Sequence, residues 1–239
     1  MQEGKEMSVT VVIPALNEEA SVGSVVQHIP RDTAQEVIVV DNGSTDRTVE
    51  VAKAAGARVV SEPRRGYGAA CLAGGMAAQG DIVVFMDADG SFEPAEISRL
   101  VGPLRDGRAD LVLGSRILGE IAPKAMYFHQ RFGNWLAVML LCWFYGLRVT
   151  DLGPFRALHR EHLLALHMTE MTYGWPIEMM IKAAQRGLRL VEVPVTYRPR
   201  RAGQSKVSGS VRGSLLAGYR IIRTILNHLD SRGRASVHD

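Results

Sequence analysis

Cysteine and long apolar runs are both scarce in this 239-residue chain. Its two cysteines, Cys71 and Cys142, sit among small or apolar residues, and neither has metal-ligand spacing. A disulfide-stapled scaffold and a cysteine metal site are therefore excluded, leaving two free thiols suited to a reducing compartment. The longest uncharged apolar run, residues 135–147, stops at Arg148. It falls short of the roughly 20 residues that cross a bilayer. The opening Met-Gln-Glu-Gly-Lys-Glu-Met has no apolar core, so neither a signal peptide nor a transmembrane helix is expected. A cytoplasmic location follows, with peripheral contact at the inner face of the membrane left open. The seven histidines show no ligand pairing and read as surface or core residues.

What is present is ordinary in bulk and uneven in detail. A hydrophobic fraction of 46% with 22% charged residues suits a folded domain with a substantial core. Net charge is only +3, yet residues 198–223 gather seven Lys or Arg and no acid. Such a block suits the phosphate of a nucleotide, a lipid head group or nucleic acid, or else is a solvated basic face.

Along the chain, β-branched runs at 9–13, 37–40, 57–60 and 81–86 alternate with helical patterns. Glu18 and Glu19 are expected to open the first helix, and Ser44 or Thr45 to cap the second. A third helix is expected over 66–79. Short strands, apolar throughout and separated by helices, predict an α/β fold with a mostly parallel sheet covered on both faces. Beyond Asp89 the pattern predicts helices over 94–105, 135–147 and 176–186, and strands over 109–113 and 190–193. Residues 203–213 read as a mobile Gly, Ser and Lys loop. From Val211, the residues Leu215, Tyr219, Ile222, Leu226 and Leu229 would line one face of a basic amphipathic helix. The expected division is 1–206 as the main domain and 207–239 as the helix and tail.

Ligands bind beyond the carboxyl ends of such strands, which places 14–18, 41–44 and 87–89 along one edge. Asp87-Ala88-Asp89 directly follows an apolar strand, so two carboxylates spaced by two converge at its end. They repel unless a cation or proton separates them, and Mg2+ or Mn2+ with diphosphate oxygens would suit. The plainer alternative is that both acids cap the following turn. Asp41 ends the second strand and can accept hydrogen bonds from a base or ribose, or simply cap the turn. Arg64-Arg65-Gly66 places cations before a helix start, a place for phosphate. A dinucleotide fingerprint is excluded, because the glycines follow the third strand and Cys71 stands at the third glycine position.

The ordered motifs are Val-Val-Ile-Pro-Ala-Leu-Asn-Glu-Glu (11–19), Val-Val-Asp-Asn-Gly-Ser-Thr-Asp (39–46) and Arg-Gly-Tyr-Gly-Ala-Ala (65–70). Met-Asp-Ala-Asp-Gly (86–90), Gly-Ser-Arg (114–116), Asp-Leu-Gly-Pro-Phe-Arg-Ala-Leu (151–158), Glu-Val-Pro-Val (192–195) and Arg-Arg-Ala-Gly-Gln-Ser-Lys (200–206) follow. Together they resemble the family 2 glycosyltransferases, and within them the dolichyl- or polyprenyl-phosphate mannose and glucose synthases. The resemblance implies a glycosyltransferase A fold, Rossmann-like, and inverting transfer of a hexose from a nucleotide diphosphate sugar such as GDP-mannose or UDP-glucose. It places Pro14, Ala15, Asn17, Glu18 and Asp41 around base and ribose, with Gly66 and Ala88 completing the donor site. It gives Asp87 and Asp89 the metal and diphosphate, and Arg116 and Arg131 the phosphate of a polyprenyl-phosphate acceptor. Arg201 and Lys206 would close over the donor. Ser91 stands where relatives often place a glutamine metal ligand.

A soluble or polysaccharide hydroxyl acceptor is the alternative, and it would need a base, with Asp151 or Glu178 the candidates. Glu178 also reads as an ordinary helix-start acid, and Arg131 as an anchor for its helix. A nucleotidyltransferase would show a glycine-rich loop after the first strand, where Pro14-Ala15-Leu16-Asn17-Glu18 stands. A non-catalytic nucleotide- or nucleic-acid-binding protein would leave the paired carboxylates unexplained, so no nucleic-acid partner is expected.

Overall fold

The computed structural model describes residues 7–201 and 218–229. Seven strands form one sheet in the order β3-β2-β1-β4-β6-β5-β7. They are β1 (Val9–Ala15), β2 (Glu36–Asp41), β3 (Arg58–Ser61), β4 (Ile82–Phe85), β5 (Leu111–Ser115), β6 (Arg156–His159) and β7 (Leu190–Pro194). All run parallel except β6, which pairs antiparallel with both β4 and β5. The expected mostly parallel sheet is present, and so is its physical cause. β1 and β4 are buried on both faces, as continuous β-branched runs require.

Helices α1 (Val22–His28), α2 (Thr48–Ala54) and α4 (Ile97–Arg105) accompany one face of the sheet. There Val11, Ile13, Val39 and Val84 meet Val26, Ala52 and Leu100 in one core. Helices α3 (Tyr67–Ala77), α5 (Phe128–Tyr145), α6 (Arg160–Ala165) and α7 (Trp175–Gln185) accompany the other. Trp175 is fully buried there, edge-on to Phe85 at 4.8 Å between ring centroids. Residues 218–229 form α8, which docks on this second core through buried Ile225.

Several boundaries differ from the sequence expectations for local reasons. α1 starts at Val22, because residues 18–21 form a turn in which the Ser21 and Val22 N–H groups donate to the Glu18 carbonyl. Neither Ser44 nor Thr45 caps α2. The N-cap position is Arg47, which offers no side-chain cap; Asp46 just before it accepts from the Thr48 N–H at 3.0 Å, while Ser44 and Thr45 bond to Asn17. α5 starts at Phe128, a turn or two before the apolar run, and ends at Gly146 in the left-handed region. β6 and α6 had no counterpart in the sequence reading. The antiparallel β6 matters most, because its amino end brings residues 151–155 to the edge where β1, β2, β4 and β5 present their carboxyl ends. Lys206, the loop at 203–213 and the expected helix start at Val211 lie outside the described residues.

Candidate active site

The carboxyl edge of the sheet opens into a cleft of about 960 Å³. Pro14, Ala15 and Glu18 follow β1, Asp87, Ala88 and Asp89 follow β4, and Arg116 follows β5; all seven line it, as does Gly66. The sequence placed these together, and they meet because parallel strands end on one edge.

Burial of its carboxyl and the neighbouring Asp89 charge push Asp87 up to about 7, against the pull of Arg200 and Arg116. Asp89 is held from two sides, accepting from the Ser91 N–H at 2.9 Å and from Arg200 Nε at 2.6 Å. Arg200 also reaches Glu18, at 3.2 Å. Burial disfavours the Arg200 charge, and Asp89 overcomes that, holding the guanidinium above its usual range. The Ser91 hydroxyl is buried and has no hydrogen-bond partner among the described residues. A concentrated carboxylate charge with an unused oxygen beside it fits a hard divalent ion. Among the described residues no group of three or more His, Cys, Asp and Glu gathers as a metal set. An ion held by Asp87 and Asp89 would therefore complete its shell from a bound diphosphate.

In the same cleft, Arg116 is fixed by Asp151, with Nη2–Oδ1 at 2.7 Å and Nε–Oδ2 at 2.8 Å. Burial opposes the Arg116 charge, and the Asp151 hydrogen bonds and charge more than offset this. Its guanidinium also lies 5.0 Å from the centroid of the Tyr197 ring. Asp151 is buried with both oxygens committed to Arg116, so it is a positioning carboxylate and not a free base. Glu178 is likewise spent. It accepts from the Thr169 and Glu170 N–H groups and pairs with Lys182 at 2.8 Å. Both base candidates for a hydroxyl acceptor are thus structural in this protein.

Four of the expected donor or acceptor residues lie elsewhere. Arg201 turns away from the cleft to Ser24, and the cation facing the carboxylates is its neighbour Arg200. The register of the returning segment decides this, since Arg198 N–H donates to the Ser91 carbonyl and Arg201 N–H to that of Asp89. Arg131 is exposed on α5 and does not line the cleft, although Tyr127 and Gln130 do. Asn17 spends its side chain on the Thr45 N–H at 2.8 Å, tying the loops after β1 and β2 together. Asp41 accepts from the Ser44 N–H and lies behind Asn42, which does line the cleft.

The start of α3 is not the open phosphate cradle expected from Arg64-Arg65-Gly66. The Met171 carbonyl accepts from the Ala69 N–H at 3.0 Å, plugging the helix end. A Cβ on Gly66 would lie 2.1 Å from that same carbonyl oxygen, so the glycine is there for backbone approach. Arg64 turns to Glu62, whereas Arg65 lines the cleft. The sequence reading also missed the aromatic lining of Tyr67, Tyr127, Tyr173 and Tyr197, because isolated tyrosines carry no motif.

The chain belongs to glycosyl transferase family 2, whose model matches residues 10–165. It is a glycosyltransferase built on the A-type fold. A glycosyltransferase of Mycobacterium tuberculosis is 44% identical over 88% of this chain and 94% of the relative. A dolichyl-phosphate hexose transferase of Haloferax volcanii is 36% identical over 90% of this chain and 93% of its own length. Among solved structures, glucosyl-3-phosphoglycerate synthase of Mycobacterium tuberculosis, in complex with Mn2+, uridine diphosphate and glucosyl-3-phosphoglycerate, superposes with a TM-score of 0.77 at 30% identity. That match covers 94% of this chain and 81% of the other.

Proposed function

We propose that the protein transfers a hexose, with inversion, from a nucleotide diphosphate sugar to polyprenyl phosphate at the inner face of the membrane. The observation that carries this is one cleft lined both by the paired carboxylates and by a clamped arginine. Asp87 and Asp89 would hold Mg2+ or Mn2+, which supplies positive charge to the diphosphate. The manganese and uridine diphosphate of the solved relative support a metal and a nucleotide donor here. Arg200 takes the place beside the diphosphate that the family resemblance gave to Arg201, and Lys206 is assigned there by resemblance alone. Arg116, immobilised by Asp151, presents a planar fork to the acceptor phosphate and keeps it in line with the anomeric carbon. A phosphate is already ionised near neutral pH, so the absence of a free base among Asp151 and Glu178 suits this acceptor.

The lipid is supported by a second surface. Phe128, Phe132, Trp135, Met139 and Trp143 are all exposed along α5. Their spacing of three and four makes one apolar stripe, which begins one residue after cleft-lining Tyr127. On α8, Tyr219, Ile222 and Leu226 are also exposed, beside Arg223. Of the stripe read from sequence, Tyr219, Ile222 and Leu226 thus point outward and Leu229 packs on the core, while the residue that docks α8, Ile225, lies off that stripe. No helix among the described residues is long and apolar enough to cross a membrane. An apolar stripe that begins beside the cleft suits a protein that rests on a bilayer. The dolichyl-phosphate relative supports the same acceptor. The likeness to glucosyl-3-phosphoglycerate synthase favours a second reading, a soluble phosphorylated acceptor.

The test offers purified protein, Mn2+ and radiolabelled UDP-glucose or GDP-mannose with polyprenyl phosphate, the matching polyprenol, or 3-phosphoglycerate. Label is expected in polyprenyl phosphate and not in polyprenol. Label in a soluble acceptor alone overturns the lipid assignment.

A further inference from the structure

Four cations line the cleft: Arg65, Arg116, Lys124 and Arg200. Asp151 matches Arg116, and Asp89 with Glu18 matches Arg200. Arg65 and Lys124 have no ion-pair partner among the described residues. An uncompensated cation in a ligand cleft is available to an anion. Arg65 lies against Gly43 after β2, on the donor side. Lys124 lies on the connection from β5 to α5, between Arg116 and Tyr127.

The backbone at Lys124 is the second observation. The Ala125 N–H donates to the Ala122 carbonyl at 3.1 Å, closing a four-residue turn. Pro123 takes its second position and Lys124 its third, with φ of +66°. This is a type II turn, whose third position selects glycine or asparagine. Lysine is strained there, and strain of this kind collects at ligand sites. The turn is also mechanically joined to Arg116. The Ala122 N–H donates to the Tyr197 carbonyl at 2.9 Å, and the Tyr197 ring carries the Arg116 guanidinium.

We infer that Lys124 is the second cation of a phosphate-monoester seat, acting with Arg116, and that it selects a phosphate-bearing acceptor. It takes the role that family resemblance gave to Arg131, which is exposed outside the cleft. The inference deepens the proposed function and rests on it for the acceptor's phosphate, but not for the lipid. With polyprenyl phosphate, a phosphate oxygen of the acceptor forms the new bond to the anomeric carbon. The bond from that carbon to the donor's diphosphate breaks, its electron pair leaving on the nucleoside diphosphate. No proton moves, because the phosphate is already ionised. Lys124 and Arg116 hold the two oxygens that do not attack.

The test compares wild-type protein with Lys124→Gly and Lys124→Arg in transfer and in binding. With Mn2+ and UDP-glucose or GDP-mannose, KM is measured for polyprenyl phosphate in detergent micelles and for 3-phosphoglycerate. Lys124→Gly is expected to raise KM for the accepted phosphate about tenfold, the loss of one charge-assisted hydrogen bond, with little change in kcat. Lys124→Arg restores most of the affinity. The Tm of Lys124→Gly is expected at or above that of wild type, because glycine relieves the turn. A variant that was merely misfolded would lose Tm together with affinity. In the binding arm, each phosphate probe is titrated without donor and followed by tryptophan fluorescence, with the same order of affinities expected. An unchanged KM and binding midpoint in Lys124→Gly, or a loss that arginine does not rescue, overturns the inference. Use of 3-phosphoglycerate in place of the lipid removes the lipid reading while Lys124 is still judged by its KM. Neither phosphate binding to wild type, with polyprenol alone accepting sugar, overturns both.

Discussion

Arg116 and Asp151 are joined by two side-chain hydrogen bonds, and the Arg116 N–H donates to the same carboxylate at 2.8 Å. Three donors from one residue fix the guanidinium before any ligand arrives. Asp151→Ala leaves a nearly buried arginine without its counter-charge. A loss of about 3 kcal/mol or more in urea unfolding is expected, the lower end of the range for broken buried pairs. The acceptor KM rises as the fork loosens, and Asp151→Asn, which keeps one acceptor oxygen, falls between the two. A pH–rate profile that loses an acid limb in Asp151→Asn, with stability intact, would instead make this carboxylate a base.

Metal removal is expected to act on the donor and not on the fold. In excess EDTA, UDP or GDP is expected to lose its stabilising effect, about 2.7 kcal/mol at a hundredfold excess over Kd. Asp89→Ala reproduces that loss with Mn2+ present. Its unfolding transition stays cooperative, because Asp89 lies at the cleft and outside both hydrophobic cores. Nucleotide-induced stabilisation that persists in EDTA would contradict metal-dependent donor binding.

A pH signature is expected where α8 docks. Glu178 is buried, which raises its pKa, but hydrogen bonds from His228, Lys182, Thr169 and Glu170 more than compensate and bring it down to about 2. The same contact raises His228, with Glu178 the largest cause. A depressed carboxylate contributes stability above its unfolded value of about 4.3, lost as pH falls toward 2. A raised histidine contributes stability below its unfolded value of about 6.5, lost as pH rises through its folded pKa. Support from this pair is therefore greatest between those two pH values. Unfolding free energies across pH, wild type minus His228→Ala, should show the alkaline loss disappear in the variant. A difference independent of pH would mean that the pair does not titrate with folding.

The sheet was legible because β1, β2 and β4 are apolar on both faces and end in polar turns, a local pattern that burial then imposes, while the edge strand β3 keeps Arg58 and Ser61 exposed. Asp87, Asp89, Glu18 and Arg116 were legible for the same reason, since strand ends define the edge. β6 was not, because Arg156-Ala-Leu-His has no alternation and carries a fully buried arginine. Among the described residues Arg156 has no carboxylate partner within ion-pair distance. It donates instead to the carbonyls of Leu152, Gly153 and Pro176, holding the connection before β6 to the start of α7, both of which line the cleft. Which of Arg200 and Arg201 faces the carboxylates was equally hidden. One residue of register along a returning segment decides it, and nothing local encodes that register.

Two glycine-to-alanine changes are expected to have opposite signs. Gly68 sits in the first turn of α3, where a Cβ would lie 2.3 Å from the Glu170 carbonyl oxygen and 2.8 Å from the Met171 carbonyl carbon. Both are backbone atoms, so relief requires moving the 170–172 segment, which is itself held by Glu178 and by the Ala69 N–H. Gly102 lies inside α4, where nothing approaches a Cβ within 4 Å. Gly68→Ala is expected to cost about 1–3 kcal/mol as an overpacking change. Gly102→Ala is expected to add about 0.5–1 kcal/mol by restricting the unfolded chain and favouring the helix. The kinetic consequences should differ as well. Thr172 and Tyr173 line the cleft just beyond the displaced segment, so Gly68→Ala should raise KM whereas Gly102→Ala leaves it alone. Urea unfolding of the two variants side by side, with initial rates on the same preparations, checks both halves. Equal signs in stability would mean that the 170–172 segment yields freely, and then its close seating on α3 could not be what shapes that wall of the cleft.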